Sequence, residues 1–207
     1  MRTDYENWKP LAVDEMNNLF YNLPVQWCIA GGWALDLHIG SQTRKHGDVD
    51  VLILREEQLT VYRHLSQDWM LYKAENGELE LWREDEYLDL TGDVWACKDD
   101  ASPWAFQLML VETEQDDWIY RREQSIRRAL RDITLKSPEG IPYLRPEIQL
   151  LYKGGSKNIR SKDHDDFHTI LPSLSPQEIE WLASALRKQF PEGHAWVDII
   201  RQKKDSR

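Results

Sequence analysis

Cysteine is nearly absent from this 207-residue sequence. Cys28 and Cys97 alone cannot build a disulfide framework, and Cys28, inside an apolar run, reads as a buried thiol. No apolar run approaches the ~20 residues that cross a bilayer, so no membrane partner is expected. The opening residues Met1-Arg-Thr-Asp-Tyr-Glu6 are charged and lack an apolar signal segment, which gives a cytoplasmic expectation. Positive charge is also scarce: 26 Lys and Arg face 36 Asp and Glu, a net charge of −10. A general nucleic-acid binder would need a basic face, so nucleic acid is not an expected partner. The acidic balance suits a cationic small substrate, or simply keeps the protein in solution. Repeats and low-complexity segments are missing too. Ten tryptophans and 41% hydrophobic residues exclude a disordered chain, and the length allows one large domain or two small ones.

What is present concentrates in residues 28–54. An apolar run, Val25 to Ala30, enters Gly31-Gly32 and an amphipathic segment that Gly40 closes. A polar loop, Ser41 to Gly47, then leads to Asp48-Val49-Asp50 at the head of a second apolar run. Side chains i and i+2 of a strand share a face, so Asp48 and Asp50 are expected to project together. Two adjacent carboxylates repel unless a cation lies between them, and Mg²⁺ favours one or two carboxylates plus substrate phosphates. Glycine allows close backbone approach, and N–H groups at a helix N-terminus attract phosphate. Amides for phosphate and carboxylates for metal are the parts of phosphoryl or nucleotidyl transfer.

Gly31-Gly32-Trp33-Ala34-x-Asp36, followed by Thr43-Arg44-Lys45-His46-x-Asp48-x-Asp50, resembles the nucleotidyltransferase superfamily of DNA polymerase β type. Within it the pattern is similar to the aminoglycoside adenylyltransferase-like group. The resemblance implies an α/β (α+β) nucleotidyltransferase fold, a mixed β-sheet flanked by helices with a small C-terminal helical domain. The expected division is residues 1–144 and 145–207. It also implies a catalytic and metal-holding pair, Asp48 and Asp50, with Mg²⁺ as cofactor and ATP or another nucleoside triphosphate as co-substrate. Gly31, Gly32, Arg44 and His46 are the nucleotide-binding candidates. Asp36, one turn beyond Gly32, would orient the loop or a polar ligand group, or stand as an exposed helix carboxylate. The expected partners are a nucleotide and a small acceptor bearing a hydroxyl.

Along the rest of the chain, Pro10 to Asn22 has helical spacing with Pro10 in its first turn. Glu56 to Ser66 reads as a helix and Trp69 to Ala74 as a strand. Asn76-Gly77 signals a hairpin, and Tyr87 to Trp95 reads as further sheet. Trp104 to Glu112 is a strong strand whose central polar residue is Gln107, where the superfamily usually carries a third carboxylate. An amide cannot take a proton. Glu112 and Asp89 are the substitutes in view, and a catalytically degenerate nucleotide binder, or a protein-modifying antitoxin, is the alternative reading. Arg121, Arg122, Arg127, Arg128 and Arg131 form a basic concentration that reads as a solvated face or a phosphate site. The helix Glu147 to Lys153 and the later Lys162-Asp163-x-x-Asp166-Phe167 are similar to C-terminal helices of the same group. That likeness makes Lys153 a phosphate ligand and Asp163 a cleft residue. His164 and His168 have helix-face zinc spacing but no third ligand. Ser175-Pro176-x-Glu178 caps a helix through Gln189, and a last helix runs from His194 to Arg201.

Overall fold

The computed structural model describes residues 1–75 and 77–205. Helices α1 (Val13–Phe20), α2 (Gly31–Ile39) and α3 (Gln58–Leu65) alternate with the first strands, β1 (Trp27–Ala30), β2 (Asp50–Leu54) and β3 (Met70–Glu75). The chain continues through β4 (Glu78–Leu81), β5 (Asp93–Cys97), β6 (Trp104–Glu114), β7 (Asp117–Ile119), β8 (Arg127–Ala129), β9 (Thr134–Lys136) and β10 (Pro142–Leu144). It ends in α4 (Pro146–Gly154), α5 (Ser161–Ile170), α6 (Pro176–Gln189) and α7 (Ala195–Asp205). The sheet order is β4-β3-β5-β6-β2-β1-β10-β9, with β7 and β8 extending from the far half of β6. Pairs β2/β6 and β1/β10 are parallel and the rest antiparallel, so the sheet is mixed as expected.

Local chemistry explains where elements begin. Pro10 is not in α1: Lys9 and Leu11 donate their N–H groups to the Trp104 and Ala105 carbonyls at 2.9 Å, and Pro10, without an N–H, fits between them. Gly40 ends α2 in the left-handed conformation, φ +80°. Ser175 accepts from the Glu178 N–H while Glu178 reaches back to the Ser175 N–H, the reciprocal cap that the sequence signals for α6. The β3/β4 hairpin forms, although Asn76 of its turn lies outside the described residues.

Tyr87 to Gly92 does not continue the sheet as expected; the strand begins only at Asp93. Arg55 and Gln58 hold the intervening loop instead. Arg55 donates to the Leu88 and Thr91 carbonyls at 2.5 and 2.8 Å, and Gln58 accepts from the Leu88 N–H at 2.7 Å. Once side chains satisfy these buried backbone groups, no ladder is needed. The main apolar cluster runs without a break from Ile29, Val51 and Leu108 in the sheet to Leu151, Phe167, Leu182 and Trp196 in the helices. Among the described residues, no helix is long and apolar enough to cross a membrane.

Candidate active site

The ends of β1 and β2 meet where the Gly-Gly turn opens α2. Gly31 has φ +67°, and a Cβ there would lie 2.0 Å from Asp50 Oδ2. Only glycine lets the Asp50 carboxylate pack so closely against the turn. The Gly31 N–H is not free for phosphate as expected, because it donates to Gln149 Oε1 of α4 at 2.7 Å. Asp48 lies in the loop two residues before β2 rather than on it, and both aspartates line one cleft of about 410 Å³.

The third carboxylate is neither Glu112 nor Asp89. Glu112 is bound by Arg55 at 2.7 Å, and Asp89 is exposed in the loop before β5. Sheet register instead brings Asp93 to the Asp50 face, next to the residues that line the cleft but not among them. Gln107 stands opposite Asp50 across β2/β6 and opposite Trp95 across β5/β6, with Asp93 two residues from Trp95 on the same face. Gln107 Nε2 donates to Asp93 Oδ1 at 2.8 Å. Burial, then the charges of Asp48 and Asp93, push the Asp50 carboxyl up to about 7, against the opposing pull of Lys153 and Lys162. Burial also raises Asp93, opposed by the Gln107 bond and by Arg121 and Arg122. Alternating Asp93-Val-Trp95-Ala was the available sequence signal, but its neighbour across the sheet was not.

The opposite wall is cationic. Lys153, Arg160 and Lys162 line the cleft from the helical side, and Arg122 reaches it from the turn between β7 and β8. Of the five arginines in the basic concentration, Arg122 is the one lining the cleft; it donates to the Tyr152 carbonyl at 2.7 Å. The buried Lys153 ammonium bridges Asp163 at 3.1 Å and Asp166 at 2.8 Å. Burial would raise both carboxyls. For Asp163 the Arg160 and Lys153 partners outweigh it, and for Asp166 the Arg44 and Lys153 partners do, so both lie below their ordinary values. Arg44 lines the cleft, yet Nε and one terminal nitrogen fork onto Asp166 at 2.8 and 2.9 Å. Its bidentate face is therefore taken by protein rather than open to phosphate. Lys162 has no carboxylate partner within ion-pair distance among the described residues, leaving its charge directed at the cleft.

His46 is not a cleft residue. It is buried beneath Gly32, where a Cβ would meet its Nδ1 at 2.3 Å, and it lies against the Trp33 ring at 4.6 Å. Its Nε2 is 2.5 Å from Asp36 Oδ2. Asp36 also accepts from the Thr43 N–H and hydroxyl, at 3.1 and 2.5 Å. Buried rather than exposed, Asp36 orients the loop that presents Arg44 and Asp48, and it lines no part of this cleft. His164 accepts from Trp196 Nε1 at 3.0 Å, so that ring nitrogen is already engaged within the protein.

A family model described as aminoglycoside-2''-adenylyltransferase matches residues 12–170, most of the chain. The chain belongs to this family. Its members are nucleotidyltransferases, and the resemblance drawn from the Gly-Gly and Asp-x-Asp motifs is borne out. No curated protein sequence matches. Among solved structures, the lincosamide adenylyltransferase LnuA bound to lincomycin is 18% identical, with a TM-score of 0.55 over 80% of this chain and 98% of that one. ANT(2'')-Ia in complex with adenylyl-2''-tobramycin is 15% identical, with a TM-score of 0.55 over 86% and 98%. A solution structure of ANT(2'')-Ia gives 16%, 0.56, 87% and 91%. At these identities the likeness carries the family's fold, which agrees with the mixed sheet flanked by helices.

Proposed function

We propose that this family member transfers AMP from ATP to a hydroxyl of a small acceptor of the aminoglycoside-like kind. The observation that carries the reading is the pair Asp48 and Asp50 lining a cleft that also holds Lys153, Lys162 and Arg122, with Asp93 tied to Gln107 on the Asp50 face of the sheet. The acceptor oxygen attacks the α-phosphorus, and the bond from that phosphorus to its bridging oxygen breaks. Pyrophosphate leaves with the electron pair, and the hydroxyl proton goes to Asp93. The cations receive the negative charge of the triphosphate.

The donor chemistry fits Mg²⁺. Asp48 and Asp50 offer hard oxygen ligands, and the burial and mutual repulsion that raise the Asp50 carboxyl are both offset by a cation. They would hold the ion, which supplies charge stabilisation at the reacting phosphate. Gly31 and Gly32 contribute space, for Asp50 on one side and His46 on the other. Asp93, tied to Gln107 on the Asp50 face, supports the enzyme reading over a binding protein that lost its chemistry. The acceptor class is supported by two neighbours, one holding adenylyl-2''-tobramycin and one lincomycin.

Calorimetric titration of ATP, CTP, GTP and UTP, with and without Mg²⁺, tests the reading on wild type and Asp50→Asn. Mg²⁺-dependent binding that the variant loses is expected, with ATP the tightest. Binding indifferent to both metal and Asp50, or none, overturns it.

A further inference from the structure

We propose that the aromatic shelf of Trp95, Trp8 and Tyr5 is the acceptor subsite, taking a hydroxyl-bearing ring compound whose apolar ring face lies on the Trp95 indole. The inference rests on the nucleotidyl-transfer reading and adds where and how the acceptor is held. Trp95 is the direct cross-strand neighbour of Gln107, which in turn faces Asp50. Directly opposed residues have Cβ atoms ~5 Å apart on one face of the sheet. Asp93 shares that face, and it and Trp95 are the two half-exposed residues of β5, whereas Val94, Ala96 and Cys97 are buried. The shelf therefore begins beside the base and continues away from the metal-holding pair.

The N-terminal arm completes it. Trp8, Trp104 and Tyr5 surround Trp95 at centroid distances of 4.8, 5.4 and 6.3 Å, all steeply inclined, so no ring stacks over the half-exposed indole. The arm is fixed in place: Trp104 N–H donates to the Asn7 carbonyl at 2.7 Å, Trp8 Nε1 to the Tyr5 carbonyl at 2.9 Å, and the Tyr5 hydroxyl to the Gly77 carbonyl at 2.8 Å. Arg2 anchors its start, with the guanidinium 3.9 Å from the Trp104 ring centroid. Tyr5 and Trp8 precede residue 12, where the family match begins. The segment that walls the shelf is thus additional to the matched region, a suitable place for acceptor choice to reside while the carboxylates keep the common chemistry.

The occupant's chemistry follows from the surface. An indole face takes the apolar side of a ring, while Asp93 and Gln107 at the shelf's edge pair with hydroxyls or ammonium groups and disfavour an anionic acceptor. Titrating tobramycin and lincomycin into the full chain, with Mg²⁺ and a non-hydrolysable ATP analogue, provides the test. At least one should bind wild type, and Trp95→Ala should weaken it about tenfold or more, with Trp95→Phe within about threefold. Affinity for the ATP analogue should stay within about twofold, which also reports that the variant is folded. If Trp95→Ala loses both ligands, the same split is required of Tyr5→Ala, whose ring is partly exposed at the arm's surface. Binding of neither probe to wild type overturns the proposal, as does equal acceptor affinity in the variants. A selective loss of nucleotide would instead assign the shelf to the base, which also overturns it. Absence of Mg²⁺-dependent nucleotide binding in wild type marks a failure of the underlying reading instead.

Discussion

At the scale of single residues, Asp93 and Asp50 play opposite parts although both carboxyls are raised. Asp93 is held by Gln107, and as it is the proton acceptor of the proposed reaction, Asp93→Asn should lower kcat by ~10²–10⁴ and leave nucleotide affinity within about threefold. Pyrophosphate release beside a nucleotide titration checks this, and an undiminished rate would remove Asp93 from the reaction. Asp50 is held against Gly31, and burial, with the charges of Asp48 and Asp93 added, lifts its carboxyl from 3.8 to about 7. A raised carboxyl favours the folded state at low pH and loses that contribution as pH rises through about 7. At pH 8 the ionised, metal-free site is therefore strained. Asp50→Asn should melt a few degrees higher than wild type at pH 8, at roughly 2–4 °C per kcal/mol, with the gap narrowing toward pH 5. Added Mg²⁺ should raise the wild-type Tm and leave the variant unchanged. A lower-melting variant in the absence of metal would contradict the strain.

At the scale of elements, the loop between α2 and β2 positions Arg44 and Asp48, and Asp36 is its anchor. Removing the anchor in Asp36→Ala leaves the buried His46 ring and Thr43 without their acceptor, at a cost of about 1–3 kcal/mol. Tm should fall accordingly, and nucleotide affinity should drop about tenfold as Arg44 leaves Asp166 and Asp48 drifts. Asp36→Asn keeps one acceptor oxygen and should suffer less. Equal nucleotide affinity in Asp36→Ala would deny the loop this role. Such contacts mark the boundary of what was legible beforehand. The Gly31-Gly32 turn, the Gly40 stop, the Ser175 cap and the Asp48–Asp50 pair are local, encoded within a few residues. Asp93 was missed because the strand register that brings it to Gln107 is nonlocal. His46 was misassigned because its partner, Asp36, lies ten residues back and across a helix. For Arg44 the decisive neighbour was Asp166, which sequence separation hides. Charge type and cleft residence could be read; the direction of a guanidinium fork could not.

At the scale of the whole molecule, one apolar cluster joins sheet and helices, and two half-buried histidines fasten the joint. His194 donates Nε2–H to the Gly154 carbonyl at 3.0 Å and accepts from the Trp196 N–H at Nδ1, an arrangement that requires the neutral ring. His38 lies 3.1 Å from the Ser173 hydroxyl, linking α2 to the segment after α5. Burial lowers the pKa of both below 6.5, overriding the smaller raising influences around each. Because the unfolded chain then takes up protons first, their contribution is present above pH 6.5 and is lost as pH falls through it toward the lower folded values. Asp50 and Asp93 shift stability in the opposite sense over acidic pH, so the wild-type curve alone mixes the two. The comparison that separates them is denaturant unfolding of wild type and His38→Gln/His194→Gln between pH 8 and pH 5. The difference in stability between the two proteins should shrink as pH falls, since the neutral glutamines do not titrate and only wild type loses its histidine contribution. A difference that holds constant across that range would show that neither ring titrates on unfolding. Calorimetry on the same samples should give one cooperative transition, because sheet and helices share the cluster. Two separable transitions would mean that the helices fold independently of the sheet on which the cleft depends.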